Sequence, residues 1–204
     1  MQNSSFTGEN VKILQRKKCY DSFLKIDSLR LQHSLFEGGW SEPLERELLV
    51  KTPAVGVLLY DPEESALVMI RQFRVGMLDN ETSPWPLELV AGLVDKDESL
   101  EQVAKREVKE ETGLSASNFV RICNYYNSPG ASSEKVALFC ARVDSTLAGG
   151  VFGVADEHED IQVLVLSEDQ AKSALESGEI NNAMSLIALQ WLQLNKATLL
   201  AQWQ

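Results

Sequence analysis

Glu107, Glu110 and Glu111 stand within REVKEETGL (106–114), three carboxylates of one sign in little more than a helical turn. Carboxylates at that spacing can serve in two ways. Turned to water, they form a solvated acidic face with i,i+4 ion pairs. Turned inward, they need a cation, and a hard divalent ion such as Mg²⁺ accepts carboxylate, carbonyl and water oxygens while leaving room for substrate phosphate. Helical phase separates the two. With Ser99–Thr112 as a helix and Leu100 set at ~0°, Ala104 falls at ~40°, Val103 at ~300° and Val108 at ~80°, which marks the apolar stripe. Glu107 falls at ~340° and Glu111 at ~20°, in the middle of that stripe, and Glu110 at its margin at ~280°. Lys105 and Lys109 fall at ~140° and ~180°, towards solvent. The nearest basic residues of the helix are thus expected to face away. Burying two unpaired carboxylates costs several kcal/mol each, so a divalent cation is the expected partner.

The elements that must hold these groups are legible on either side. Ser99 and Gln102 form a capping box at the helix start, and Gly113 sits where a helix ends in a left-handed residue. Gly92, in ELVAGLVDKDE, permits close backbone approach and would let the Ala91 carbonyl join a metal shell. Glu98 and Arg106 flank the helix and are expected to bond across the loop as scaffolding. AVGVLLY (54–60) is a continuous apolar run, as in a strand buried on both faces. ALVMIRQFR (66–74), FVRICNYY (119–126), KVALFCARV (135–143) and IQVLVL (161–166) also read as strands. NSPGASSE (127–134) and the long STLAGGVFGVADEHED (145–160) read as loops, the second long enough to suggest function. SEDQ caps a helix that Gly178 ends, and NNAMSLIALQWLQLNKATLLAQW reads as a long amphipathic closing helix. Residues 11–50 read as short strands with a turn at GGW (38–40), giving an amino-terminal β subdomain (1–50) and a main domain (51–204). Strands and helices do not alternate regularly, which favours an α/β fold with a helix-flanked mixed sheet. Neither G-x-G-x-x-G nor a Walker GK[ST] occurs.

Composition narrows the classes. The chain has 204 residues, 44% hydrophobic and 24% charged, enough for a real core. Net charge is −11 without a Lys/Arg-rich run, which argues against a nucleic-acid or anionic-membrane partner. Cys19, Cys123 and Cys140 are widely spaced, which argues against a zinc knuckle or disulfide framework and for a reducing, cytoplasmic setting. The polar start MQNSSFTGEN lacks the apolar core of a signal peptide, and no apolar run is long enough to span a bilayer.

GLVDKDESLEQVAKREVKEETGL (92–114) resembles the Nudix box, with Gly92, Glu98, Arg106, Glu107, Val108, Glu110, Glu111, Gly113 and Leu114 filling every constrained position. The resemblance implies an α/β/α sandwich and hydrolysis of a nucleoside diphosphate linked to another moiety, with Mg²⁺ or Mn²⁺. It extends beyond the box. Pro129, in SPGASSE, resembles the marker of the ADP-ribose pyrophosphatase branch, GVADEHEDI (153–161) its catalytic loop, and NNAMSLIALQWLQL its closing helix. The likeness implies that Glu107, Glu111 and the Ala91 carbonyl hold metal, with Glu110 and Glu159 as further ligands. It gives Glu157 the role of general base, with Glu159 next in line. Arg74 would contact phosphate, Phe23, Arg46 and Glu47 would grip the adenosine end, and Leu93 and Glu134 would line the substrate site. It further implies a homodimer with exchanged amino-terminal strands. One departure is Arg71, which opens RQFR where relatives usually carry Glu.

Simpler roles stand beside these. Arg74 pairs with a core-edge carboxylate, Phe23 is core, Glu134 caps a strand, Asp156–Asp160 is a solubilising loop, and His33 and His158 are surface or packed residues. The favoured reading is hydrolysis of ADP-ribose to AMP and ribose 5-phosphate. GDP-mannose or another nucleoside diphosphate sugar is the alternative substrate, and a non-catalytic nucleotide-sugar sensor is the alternative class.

Overall fold

Three antiparallel strands open the chain: β1 (Val11–Asp21), β2 (Lys25–His33) and β3 (Leu44–Val50), with β2 in the middle. They are longer than the short strands expected. A turn at 22–24 and register shifts between Ile13/Gln15 and Lys18/Tyr20 break their alternation, so the sequence pattern is only partial. The structure is a computed structural model that describes residues 6–79, 83–95, 97–154, 156 and 158–204. Its chain divides into two compact units, Met1–Thr52 with Tyr126–Lys135 and Pro53–Tyr125 with Val136–Gln204. The 126–135 segment joins the first unit through β3: Leu49 N–H donates to Ala131 O (2.8 Å) and Ser133 N–H to Leu49 O (3.0 Å).

The second unit carries β4 (Ala54–Asp61), β5 (Ala66–Arg71), β6 (Leu87–Glu88), β7 (Val90–Leu93), α1 (Leu100–Thr112), β8 (Ser117–Tyr126), β9 (Lys135–Arg142), β10 (Gly150–Phe152), β11 (Ile161–Ser167), α2 (Glu168–Ser177) and α3 (Ala183–Gln202). Its sheet runs β10-β11-β5-β4-β9-β8, with β6 beside β5 and β7 beside β4. β4 is parallel to β9 and antiparallel to β5 and β7, so the sheet is mixed.

Both faces of this sheet are covered, as the continuous apolar run of β4 requires. On one face Val55, Val57, Leu59, Val68 and Ile70 pack with Val103, Ala104 and Val108 of α1. On the other, Leu58, Tyr60, Leu67 and Met69 pack with Ala171 and Ala174 of α2 and Ala188, Leu189 and Leu192 of α3. The result is the α/β/α sandwich. Tyr60 also ties the second face together: its hydroxyl donates to Glu168 Oε1 (2.7 Å), Lys196 Nζ donates to both oxygens of that carboxylate, and Trp203 stacks on its ring. The closing helix is less cleanly amphipathic than expected, since Leu194 is 85% exposed opposite its buried Leu189 and Leu192.

Two boundaries depart from the sequence reading. The second core strand stops at Arg71, and Arg74 lies past it at the start of a 3₁₀ turn (Val75–Met77), with its N–H on Pro84 O (2.8 Å). The 145–160 segment is not one open loop. Asp144 caps a 3₁₀ turn at Ser145–Leu147, and β10 pairs with β11 after positive-φ turns at Gly149 and Gly150. Buried Asp61 anchors the start of this segment by accepting from Ser145 N–H and Oγ–H, both at 2.7 Å.

α1 begins and ends where its signals place it. Ser99 and Gln102 form the reciprocal capping box, and Gly113 is left-handed at φ +69°. A Cβ on Gly113 would lie 2.5 Å from Phe152 Cε1, so both φ and space demand glycine. Gly113→Ala is expected to lower stability by about 1–3 kcal/mol, read as a shifted urea midpoint at unchanged slope.

Candidate active site

α1 presents its carboxylates to the strand that precedes it. Glu111 is 2% exposed, and its Oε2 accepts from Ala91 N–H of β7 at 3.1 Å. Glu107 leans on Gly92: a Cβ there would lie 1.9 Å from the Glu107 carboxyl carbon, so the glycine is the cradle for this side chain. The inward phase read from the sequence therefore holds for both. Glu110 is more open, with 36% of its side chain exposed, as its margin position requires.

The expectation that the nearest basic residues face away is corrected by Arg106. Lys105 and Lys109 do turn outward, to Glu101 and to the Gly113 carbonyl. Arg106, however, runs along the carboxylates. Its Nη1 donates to Glu107 Oε1 (2.7 Å) and Glu110 Oε2 (3.0 Å), and its Nε to Glu98 Oε2 (3.1 Å). The wheel counts backbone direction only, whereas a long guanidinium side chain folds back over the next turn. The Glu98–Arg106 scaffold bond is present, and the same guanidinium also binds two candidate ligands. Its Nη2 is buried with no partner among the described residues.

Electrostatics remain strained in the acidic direction. Burial pushes Glu111 up to about 8; Ala91 N–H opposes this, the charges of Glu107 and Glu159 add to it, and Arg74 opposes it. Burial pushes Glu107 up to about 7 against the pull of Arg106, with Glu110 and Glu159 adding to the rise. One partly buried guanidinium thus faces Glu98, Glu107 and Glu110, while Glu111 has a neutral backbone donor. An all-oxygen donor set with surplus negative charge in a glycine-lined cradle fits a hard divalent cation. Among the described residues no three acidic, His or Cys side chains are already closed around a metal position. Glu107 is held by Arg106, Glu111 by Ala91 N–H, and Glu159 Oε2 accepts from Val154 N–H (3.1 Å).

Glu159 reaches this cluster from the segment after β10. Gly153 makes room, since a Cβ there would lie 2.6 Å from Glu159 Cβ. Glu157 lies outside the described residues. His158 is exposed with φ +55°. Leu93 ends β7 at 42% exposure. Arg74 Nε donates to Glu88 Oε2 (2.7 Å), so the core-edge ion pair weighed from the sequence exists, while the guanidinium charge is also felt at Glu111. Glu88 itself escaped the sequence reading. An acid inside the apolar run PLELVAG was the available signal.

Five residues singled out from the sequence lie in the first unit. Phe23 is 90% exposed at the β1–β2 turn, which excludes its reading as core. Arg46 and Glu47 are adjacent on β3 and exposed, with Arg46 Nη1 donating to Glu45 O (2.7 Å). Glu134 accepts from Asn127 Nδ2 (2.7 Å) and stands 3.8 Å from Lys51 Nζ. His33 is exposed, with Nδ1 3.0 Å from Ser34 O.

Comparison with known proteins decides the family: the NUDIX domain model matches residues 50–202. The chain belongs to the Nudix family. An ADP-ribose pyrophosphatase of Haemophilus influenzae is 40% identical over 202 residues, spanning 98% of this chain and 93% of that protein. An ADP-ribose pyrophosphatase of Escherichia coli (strain K12) is 40% identical over 199 residues, spanning 98% and 95%. A GDP-mannose pyrophosphatase of Enterobacter sp. (strain 638) is 37% identical over 153 residues, 74% of this chain and 78% of that one. The solved structure of an ADP compounds hydrolase shares the fold, with TM-score 0.72 and 23% identity over 95% of this chain and 98% of that one. No helix among the described residues is long and apolar enough to cross a membrane.

The buried acid of this Nudix helix gives a test that needs no substrate. A carboxyl raised from 4.5 to about 8 keeps, when folded, a proton that the unfolded chain releases. Stability therefore falls as pH rises between those values and stays low above them. In EDTA at pH 9, Glu111→Gln is expected to be more stable than wild type by on the order of a few kcal/mol, with the gap closing towards pH 4. Urea melts across that range measure it. An equal pH slope in the two proteins contradicts the buried acid.

Proposed function

We propose that the protein is a Mg²⁺-dependent ADP-ribose pyrophosphatase, with Mn²⁺ as the alternative ion. The observation that carries this reading is the pair Glu107 and Glu111, turned inward from α1 onto the Ala91–Gly92 backbone. Near full-length likeness to two ADP-ribose pyrophosphatases supports the substrate choice. The GDP-mannose pyrophosphatase relative matches over a smaller share of the chain, so GDP-mannose stands second.

Glu107, Glu111 and the Ala91 carbonyl would hold the ion, with Glu110 and Glu159 completing the acidic shell. The bound ion would neutralise the pyrophosphate and stabilise charge developing on its oxygens. The protein's own groups do the rest. Arg74 binds a phosphate oxygen, and Glu157 takes the proton of the attacking water as a P–O bond forms and the anhydride P–O bond breaks. ADP-ribose and water then yield AMP and ribose 5-phosphate. Arg106 holds Glu107 and Glu110 in register and, through Glu98, pins the loop before α1.

Phe23, Arg46 and Glu47 grip the adenosine end, Leu93 and Glu134 line the site, and the first three serve a partner's site in a homodimer with exchanged amino-terminal strands. Exposed Val11, Ile13, Leu14 and Tyr20 on β1 support such an assembly. Sedimentation is expected to report twice the chain mass, and a monomer would leave the adenosine grip unassigned. We place this activity in the cytoplasm.

A panel of nucleoside diphosphate sugars with Mg²⁺ tests the function. ADP-ribose is expected to give AMP at the highest kcat/KM. Higher values for GDP-mannose favour the second reading, and tight binding without turnover favours a sensor. Glu107→Gln and Glu111→Gln are each expected to lose at least about 10²-fold in kcat with the fold intact, and Glu157→Gln about 10²–10⁴-fold with binding kept. Near-wild-type kcat in Glu157→Gln moves the base to Glu159.

A further inference from the structure

Arg74 stands outside regular strand structure, yet two bonds fix it. Its backbone N–H donates to Pro84 O (2.8 Å), and its Nε to Glu88 Oε2 (2.7 Å). Glu88 is the better anchored partner. It belongs to β6 opposite Ile70 of β5, and its side chain is 17% exposed against 40% for Arg74. Ile70 belongs to the core cluster under α1, which sets Glu88 on the catalytic face of the sheet. Engaging Nε leaves the two Nη groups for another acceptor, and none of the described residues takes them through a hydrogen bond. A guanidinium held this way offers a parallel pair of N–H donors, the fork that matches two oxygens of a phosphate.

We infer that Glu88 is a positioning residue: it holds the Arg74 guanidinium by Nε so that both Nη groups face a phosphate of the substrate. This rests on the hydrolase reading above. The alternative is a structural tie between β6 and the end of β5 that never touches binding.

A structural tie and a positioning role differ in kinetics. Glu88→Gln keeps the side-chain volume and removes the charged acceptor. Freeing a rotamer-rich side chain that must then be ordered on binding costs ~0.5–1.5 kcal/mol, roughly a three- to tenfold loss of affinity. Glu88→Gln is therefore expected to raise KM for ADP-ribose about three- to tenfold while kcat changes less than about twofold. Arg74→Ala is expected to raise KM further. In the double variant Glu88→Gln adds nothing to Arg74→Ala, because the residue it positions is gone. An unchanged KM in Glu88→Gln, or effects that multiply in the double variant, overturns the inference.

Calorimetry with the methylene-bridged analogue of ADP-ribose and Mg²⁺, on the same four proteins, separates this from failure of the function itself. If wild type binds the analogue without hydrolysing ADP-ribose, the pyrophosphatase reading fails, and the same coupling pattern in Kd supports Glu88 as positioning residue. If wild type does not bind the analogue, both fall.

Discussion

The site depends on one costly arrangement, a carboxylic acid on the core side of a helix where aliphatic packing would be cheaper. Glu111 sits among the residues that join α1 to the sheet, beside Val103, Ala104 and Val108. A carboxylate there loses its water and gains a single backbone N–H, so its proton is held tightly. Several other features follow from accommodating that group. Gly92 has no side chain because Glu107 fills the space, and the Ala91 amide is directed at Glu111. Arg106 spreads its donors over three carboxylates rather than pairing with one.

The rest of the second unit serves to hold that arrangement still. β4 and β7 pair from Ala54–Leu93 to Val57–Val90, so the backbone on which Glu107 and Glu111 rest is fastened to the most buried strand of the sheet. α2 and α3 cover the opposite face and carry their own polar tie at Tyr60, Glu168 and Lys196, well separated in chemistry from the acidic cluster. β11 pairs with β5 and leads directly from the Glu159 segment, which brings that carboxylate within electrostatic range of Glu107 and Glu111. Three pieces of chain distant in sequence are thus brought to one acidic patch by strand pairing.

Much of this was legible because the signals are local. The capping box at Ser99, the left-handed Gly113 and the helical phase of Glu107 and Glu111 each depend on a few neighbouring residues, and each appears as read. Arg106 was only half legible: its bond to Glu98 could be anticipated, while its bonds to Glu107 and Glu110 depend on how a flexible side chain folds over its own helix. A core-edge carboxylate partner for Arg74 could be weighed from the sequence, but its identity as Glu88 could not, because that needs the β5–β6 pairing, and β6 is only two residues long. The 145–160 segment read as one loop for a similar reason. β10 has three residues, too few for a period to emerge, and it becomes a strand only through β11.

Net charge of −11 gives the arrangement a further logic. A pyrophosphate approaching such a surface is repelled at long range, so attraction must be short-range and local. The protein could have supplied a cluster of arginines, but further guanidinium groups beside Glu107 and Glu111 would take the carboxylate oxygens that Arg106 leaves open. It keeps one arginine committed to the carboxylates and a second, Arg74, tied to Glu88 by a single nitrogen. Under the proposed function the remaining carboxylate oxygens would take a divalent ion, which binds carboxylate and phosphate oxygens together. On that reading, surplus negative charge at the site would make recognition of an anion conditional on a bound divalent ion.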